Sequence, residues 1–269
     1  MSRLWREQLQ IGLCPDRLIV VGRQRGLRPR LTKKEIIAVS SSREAPDWRA
    51  AINALPAALA PQARGKTEVT VILSNHFVRY ALLAWNATLK TQDEWLALAR
   101  HRLASVHGAA VEGWALRACE TAPRGPRLVA AADQALLDAL AERIAAGGAT
   151  LVSVQPYFMA AFNRIRRAIG KESCWLVNEE PGRLTLALIE RGTWRAIRSR
   201  GVDDRWPAAL AEILDRESAA QGLDQPCTRV VIHAQEALDA GVHGAYHVRD
   251  LTLPAGLPSS DRQLAMALG

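Results

Sequence analysis

A tight turn between two apolar strands can wrap the phosphates of a nucleotide. It does so when glycines let backbone N–H groups approach the oxygens and a carboxylate orients magnesium and its waters. Residues 9–21 (LQIGLCPDRLIVV) and 175–192 (WLVNEEPGRLTLALIERG) both have that outline, but the groups that would grip a phosphate are missing. Other arrangements carry less. His243 and His247 stand four apart, a ligand spacing on a helix, yet Gly241 and Gly244 disfavour a helix and no glutamate follows the first histidine. His101 and His107 are six apart and share no helix face. Ser40, Ser41 and Ser42 beside Arg43 read as a loop after a strand. Asp203 and Asp204 before Arg205 read as the start of a helix, where the dipole favours acids. There is no Gly-x-Ser-x-Gly elbow and no Walker loop, so no residue is assigned as catalytic or as a metal ligand.

The elements that position the two hairpins follow from periodicity and punctuation. Aliphatic runs predict strands at 9–13, 17–22 and 35–40, separated by Pro15 and a loop at 26–29. A helix at 47–59 follows, which Pro56 is expected to kink or end early. Strands at 68–73 and 77–83 precede a helix at 92–107, where Thr91 and Glu94 form a capping box and Gly108 ends the helix. Strands at 113–120 and 126–131, a helix from Asp133 to Ala146 and a strand at 149–154 complete the first half.

From Pro156 a similar programme repeats. A helix to Ile169 leads to strands at 173–177, 183–190 and 193–199, a helix at 207–221 and a strand at 228–233. Short elements near 235–239 and 246–248 and a terminal helix from Ser260 complete it. Two three-strand meanders, each followed by alternating helices and strands, predict a duplicated mixed α/β fold with lobes at 1–155 and 156–269.

With 269 residues, 49% of them apolar, the chain can bury a sizeable core. Its eight tryptophans are spread evenly and read as packing anchors, not as a stacking strip for bases. The formal charge of +8 attracts anions, and the densest basic run is Arg23, Arg25, Arg28, Arg30, Lys33 and Lys34, read as a solvated loop or helix face. Further basic groups lie at Arg164, Arg166, Arg167 and Lys171, and at Arg191, Arg195, Arg198 and Arg200. Cys14, Cys119, Cys174 and Cys227 form no Cys-x-x-Cys pair and no signal peptide precedes them, which points to the cytoplasm. Cys119 and Cys174 fall in predicted strands, where they are expected to act as small buried apolar residues. No apolar run reaches the roughly eighteen residues of a spanning helix.

The hairpins and the order of elements resemble the actin-like pilus-assembly and secretion-platform proteins. These are the PilM-type proteins of type IV pili and the cytoplasmic part of the L component of type II secretion systems. In nucleotide-binding members the first hairpin is similar to apolar, Asp, x, Gly, three small residues, apolar, Lys. Ile11, Gly12, Leu13, Cys14, Pro15, Asp16, Arg17, Leu18 and Ile19 follow that register, with Gly12 at the Asp position, Cys14 at the Gly and Ile19 at the Lys. The second resembles Leu-Val-Asp-x-Gly followed by Thr-Asp and an aliphatic strand ending in an acid and Gly. Here Asn178 stands at the first Asp, Glu180 at the Gly and Thr185 at the second Asp. Residues 69–86 and the helix at 93–108 also resemble the secretion L proteins.

The resemblance implies an actin-like, ribonuclease H-like fold whose phosphate site is vestigial and holds no cofactor, because Gly12 supplies no carboxylate and Glu180 adds bulk and negative charge. It implies a non-catalytic cytoplasmic scaffold, peripheral to the inner membrane, that binds the cytoplasmic tail of a small inner-membrane assembly protein. Peripheral contact with anionic lipid and a homodimer stay open, and no nucleic acid is expected as a partner. The alternative is an active nucleotide-binding ATPase or a sugar-kinase-like enzyme, in which Asp16 or Glu179 replaces the missing carboxylate. A third reading is nucleic-acid binding through the basic run at 23–34.

Overall fold

The computed structural model describes residues 7–24, 30–40, 47–60, 67–222, 227–235, 241–253 and 258–268. Contacts group the chain into two compact units, residues 1–78 with 132–161 and 263–269, and residues 79–131 with 162–262. The sequence reading divides it at residue 155 instead.

The sheet of the first unit begins as a meander. Strands β1 (Glu7–Leu13) and β2 (Arg17–Gln24) pair antiparallel, with Gly12 opposite Ile19, and β3 (Arg30–Ala38) pairs antiparallel with β2 across a bulge at Gly22/Arg23. Strands β4 (Glu68–Leu73) and, further along the chain, β8 (Thr150–Pro156) extend it in parallel, giving the order β3-β2-β1-β4-β8. The continuous aliphatic run of β2 suits a strand with both faces covered, and Leu18 to Val21 are all buried, while β1 alternates and buries Leu9 and Ile11 between the half-buried Gln8 and Gln10.

Helix α1 (Trp48–Leu59) starts at Asp47, whose carboxylate accepts from the Arg49 N–H, and it continues through Pro56. Pro56 is exposed, so the hydrogen bond that it removes lies on the solvent side and the helix persists where the sequence predicts a kink or a stop. Helix α3 (Gln134–Ala146) packs beside α1, and Trp48 Nε1 donates to its cap residue Asp133 at 3.0 Å. The side chain of Asn75 accepts from the Phe158 N–H at 3.2 Å at the start of α4 (Tyr157–Ile169).

The second unit holds two sheets. The larger opens with another meander, β9 (Cys174–Glu180), β10 (Arg183–Glu190) and β11 (Thr193–Gly201). Strands β12 (Arg229–Ala234) and β14 (Tyr246–Asp250) then add in parallel, and the short β13 (Gly241–His243) adds antiparallel. The order β11-β10-β9-β12-β14-β13 repeats that of the first unit with one strand appended, which is the duplicated order expected from sequence. Helix α5 (Trp206–Ala220) covers one face through Trp206, Leu210, Ile213 and Leu214.

The smaller sheet, β5-β7-β6, comprises β5 (Val78–Leu83), β6 (Trp114–Glu120) and β7 (Arg127–Asp133) and packs on α2 (Gln92–His107). Its core includes Trp95, Leu103, Leu116 and Val129. The capping box is present, with Thr91 Oγ1 accepting from the Glu94 N–H at 3.2 Å and Glu94 Oε2 accepting from the Thr91 N–H at 2.8 Å.

Three expectations are corrected. Strand β3 begins at Arg30, not at residue 35, because an edge strand with alternating exposure tolerates a basic stretch that reads as a loop. Cys119 is exposed on β6, an edge of the small sheet, whereas Cys174 is buried as expected. The terminal helix is a 3₁₀ segment, Ser259–Ala267.

Candidate functional site

In the first hairpin the turn is closed by the Cys14 N–H donating to the Arg17 carbonyl at 3.0 Å. The 3₁₀ segment at the end of the chain lies against it. Cys14 Sγ is 3.4 Å from Met266 Sδ, and a Cβ added at Gly12 would stand 3.1 Å from the same sulfur. Met266, Cys14 and Ile19 are all buried, and Arg23 Nη2 donates to the Leu268 carbonyl, tying down the segment's far end. Gly12 is thus a glycine capped by a thioether. Asp16 is turned to its neighbour, with its carboxylate 2.9 Å from Arg17 Nη1.

In the second hairpin Gly182 takes a left-handed φ of 81°, which closes the turn between β9 and β10. Asn178 lies opposite Thr185, and both are fully buried. Asn178 Nδ2 donates to the His233 carbonyl at 3.0 Å, and Thr185 Oγ1 donates to Ser199 Oγ at 3.1 Å. Glu179 Oε2 accepts from the Gln235 N–H at 2.8 Å. Glu180, also buried, lies opposite Arg183. Burial lowers the Arg183 guanidinium from its ordinary value, and the charge of Glu180 opposes that shift.

The neighbouring end of β12 carries His233. Burial chiefly, then the charges of Arg164 and Arg262, hold its imidazole well below the ordinary histidine value, so it is neutral. Arg262 Nη1 donates to the Ala234 carbonyl and to Thr252 Oγ1, each at 3.1 Å, and its Nη2 pairs with Asp250. A cation therefore fastens the strand ends of β12 and β14 to each other.

The other sequence candidates disperse. His243 and His247 sit on paired strands, where the register pairs His247 with Val242 and His243 with Tyr246. His107 stacks at a tilt on Trp114 with centroids 5.2 Å apart. Asp203 accepts from the Arg205 N–H and side chain ahead of α5, and those hydrogen bonds lower its carboxyl from the ordinary value. Among the described residues no group of histidine, cysteine or acidic side chains could hold a metal ion. Of the basic run, Lys33 pairs with Glu35 at 2.6 Å, while Arg25 and Arg28 lie outside the described residues, as do Ser41, Ser42, Arg43 and Asp239. Met266 and Arg262 escaped the sequence reading. The apolar run Leu264 to Leu268 signalled burial there, but nothing in it named a partner.

The strand order and the paired hairpins give the chain a duplicated mixed α/β, actin-like fold. No family profile and no curated protein matches the chain. Among solved structures it is similar to the cytoplasmic domain of EpsL, an inner membrane component of the type II secretion system of Vibrio cholerae. That likeness has a TM-score of 0.63 and 14% identity over 97% of this chain and 94% of that one. It is similar to the PilM–PilN type IV pilus biogenesis complex, with a TM-score of 0.66 and 15% identity over 99% and 97%. A Bacteroides thetaiotaomicron protein with an actin-like ATPase fold and unknown function gives 0.56 and 10% over 88% and 86%. At these identities the likeness shows a shared fold. No described helix is long and apolar enough to cross a membrane.

Proposed function

We propose that this chain is a non-catalytic component of a type IV pilus or type II secretion platform, using an actin-like fold to bind the cytoplasmic tail of a small inner-membrane protein. The observation that carries the reading is the Met266 thioether seated on Gly12 and Cys14, where a phosphate hairpin needs open space and a carboxylate nearby. The residues present do not fit a magnesium nucleotide. Gly12 brings no anion, Asn178 spends its amide donor on a backbone carbonyl, and the buried Glu180 stands at the position where the resemblance expects a glycine. The full-length likeness to EpsL and to PilM–PilN supports the choice of assembly. In this reading the chain works on the cytoplasmic side, held at the membrane by its partner, and its positive charge favours anionic lipid nearby.

The test is co-elution of the full chain with synthetic peptides copying the cytoplasmic tails of small single-span inner-membrane assembly proteins. The expected result is a stable complex that is indifferent to Mg·ATP. Failure of every tail to co-elute, or a complex that forms only with nucleotide, would overturn the reading.

A further inference from the structure

The second unit contains a groove of about 900 Å³ that takes no residue from the first hairpin and meets the second at Arg183 and Glu190, the two ends of β10. It runs between two sheet edges, with β5, an outer strand of the small sheet, on one side and β11, an outer strand of the large sheet, on the other. Edge strands carry a row of backbone donors and acceptors that an extended chain can pair with. Five arginines line the groove, Arg79, Arg102, Arg183, Arg195 and Arg198, against the single carboxylate of Glu190. Glu190 approaches Arg195 at 3.9 Å, and from outside the lining Glu217 approaches Arg198 at 4.0 Å and Glu180 lies opposite Arg183, which leaves the positive charge in excess. Arg183 gives one hydrogen bond, at 3.3 Å to Ser199, but its buried Nε has no protein partner. Two large apolar side chains stand open at the same place, Trp85 at 46% exposure and Val106 at 71%.

We propose that this groove docks an extended acidic segment of a partner protein, which adds as a strand to the β11 edge. Its carboxylates would meet Arg102, Arg183 and Arg198, and its alternate aliphatic residues would cover Trp85 and Val106. Two features favour a peptide over a nucleic acid. A strand edge offers a ladder matched to a peptide backbone, and the groove presents one exposed tryptophan rather than a series of stacking rings. Burial, and then the nearby charge of Arg183, lower the Arg79 guanidinium, as expected where cations are crowded together ahead of an anion.

The probe is a fluorescently labelled peptide of alternating acidic and aliphatic residues, titrated into the full chain by anisotropy. Saturable binding that weakens as salt rises is expected. Arg102→Glu and Arg198→Glu, both at exposed positions, should each weaken binding by about tenfold while circular dichroism stays unchanged. N-methylating alternate peptide amides should abolish binding in one register and spare it in the other, since only one edge of the added strand pairs with β11. Several results would overturn the proposal: no saturable binding, indifference to either charge reversal, or equal binding of both N-methylated peptides. So would a single-stranded oligonucleotide that binds more tightly than the peptide, or a charge reversal that changes self-association instead of peptide binding. The inference rests on the binding-protein reading, and the two fail separately. If a tail peptide co-elutes equally with parent and charge-reversed chains while the acidic probe does not bind, the groove falls and the platform reading stands. If the probe binds and no tail does, the reverse holds.

Discussion

Gly12 is the sharpest place to perturb the protein, because its local packing decides whether a phosphate site is absent in substance or only in sequence. A Cβ there would stand 3.1 Å from Met266 Sδ, 3.2 Å from Ile19 Cβ and 3.3 Å from Met266 Cγ. Gly12 does not have a left-handed φ, so backbone strain does not enter, and the cost of Gly12→Ala is the few tenths of an ångström that Met266 and Ile19 must yield. Overpacking of this kind costs about 1–2 kcal/mol. Met266→Ala alone removes a buried side chain and should cost about 2–4 kcal/mol. In the double variant the shortened residue 266 makes room for the new methyl, so the two costs should fall short of their sum by about 1 kcal/mol. Gly12→Asp should cost about 3–5 kcal/mol, because it buries a charge against a thioether. Urea denaturation measures all four variants, with the shift in midpoint read at constant slope. Additivity of the double variant to within about 0.3 kcal/mol would refute the packing of Met266 on Gly12.

Three further outcomes follow from the second unit and the thiols. Asn178→Asp replaces the donor to the His233 carbonyl with an acceptor at a fully buried position, and should destabilise by about 3 kcal/mol; a neutral effect in denaturation would mean that the pocket has room for a carboxylate after all. His233 has a depressed folded-state value, so the unfolded chain binds one more proton as pH falls below the ordinary histidine range. Its contribution to stability is full above about pH 6.5 and is lost at up to about 1.4 kcal/mol per pH unit below that, and His233→Gln should flatten this part of the profile. Burial pushes the Cys174 thiol up to about 11, whereas Cys119 is exposed, so an aromatic disulfide reagent should modify Cys119 rapidly and Cys174 only on unfolding. Equal rates at the two would contradict the burial pattern.

Much of this architecture is legible from residues alone, because each meander announces itself through local means. Pro15 and Asp16 break one aliphatic run, Pro181 and Gly182 another, and the run lengths match strands. The capping box at Thr91 and Glu94 is equally local and sits where expected. What escaped depends on distance along the chain. Met266 reaches a hairpin 252 residues away from its contact at Cys14, and no periodicity in its own segment encodes that meeting. Arg262 closes the ends of β12 and β14 by the same kind of tertiary choice. Cys119 shows the opposite error, since a strand pattern does not reveal which strand will be an edge. The basic run misled similarly: Arg30 to Lys34 look like a loop by composition, yet they form the outermost strand of a sheet, where charge discourages edge-to-edge association.

The most direct test is a calorimetric titration of Mg·ATP into the full chain, beside the Met266→Ala variant. The account predicts no saturable heat for the parent chain up to millimolar nucleotide, and none for the variant, because shortening Met266 restores space but no carboxylate. Saturable, magnesium-dependent binding to the parent chain, or turnover of the nucleotide, would contradict it.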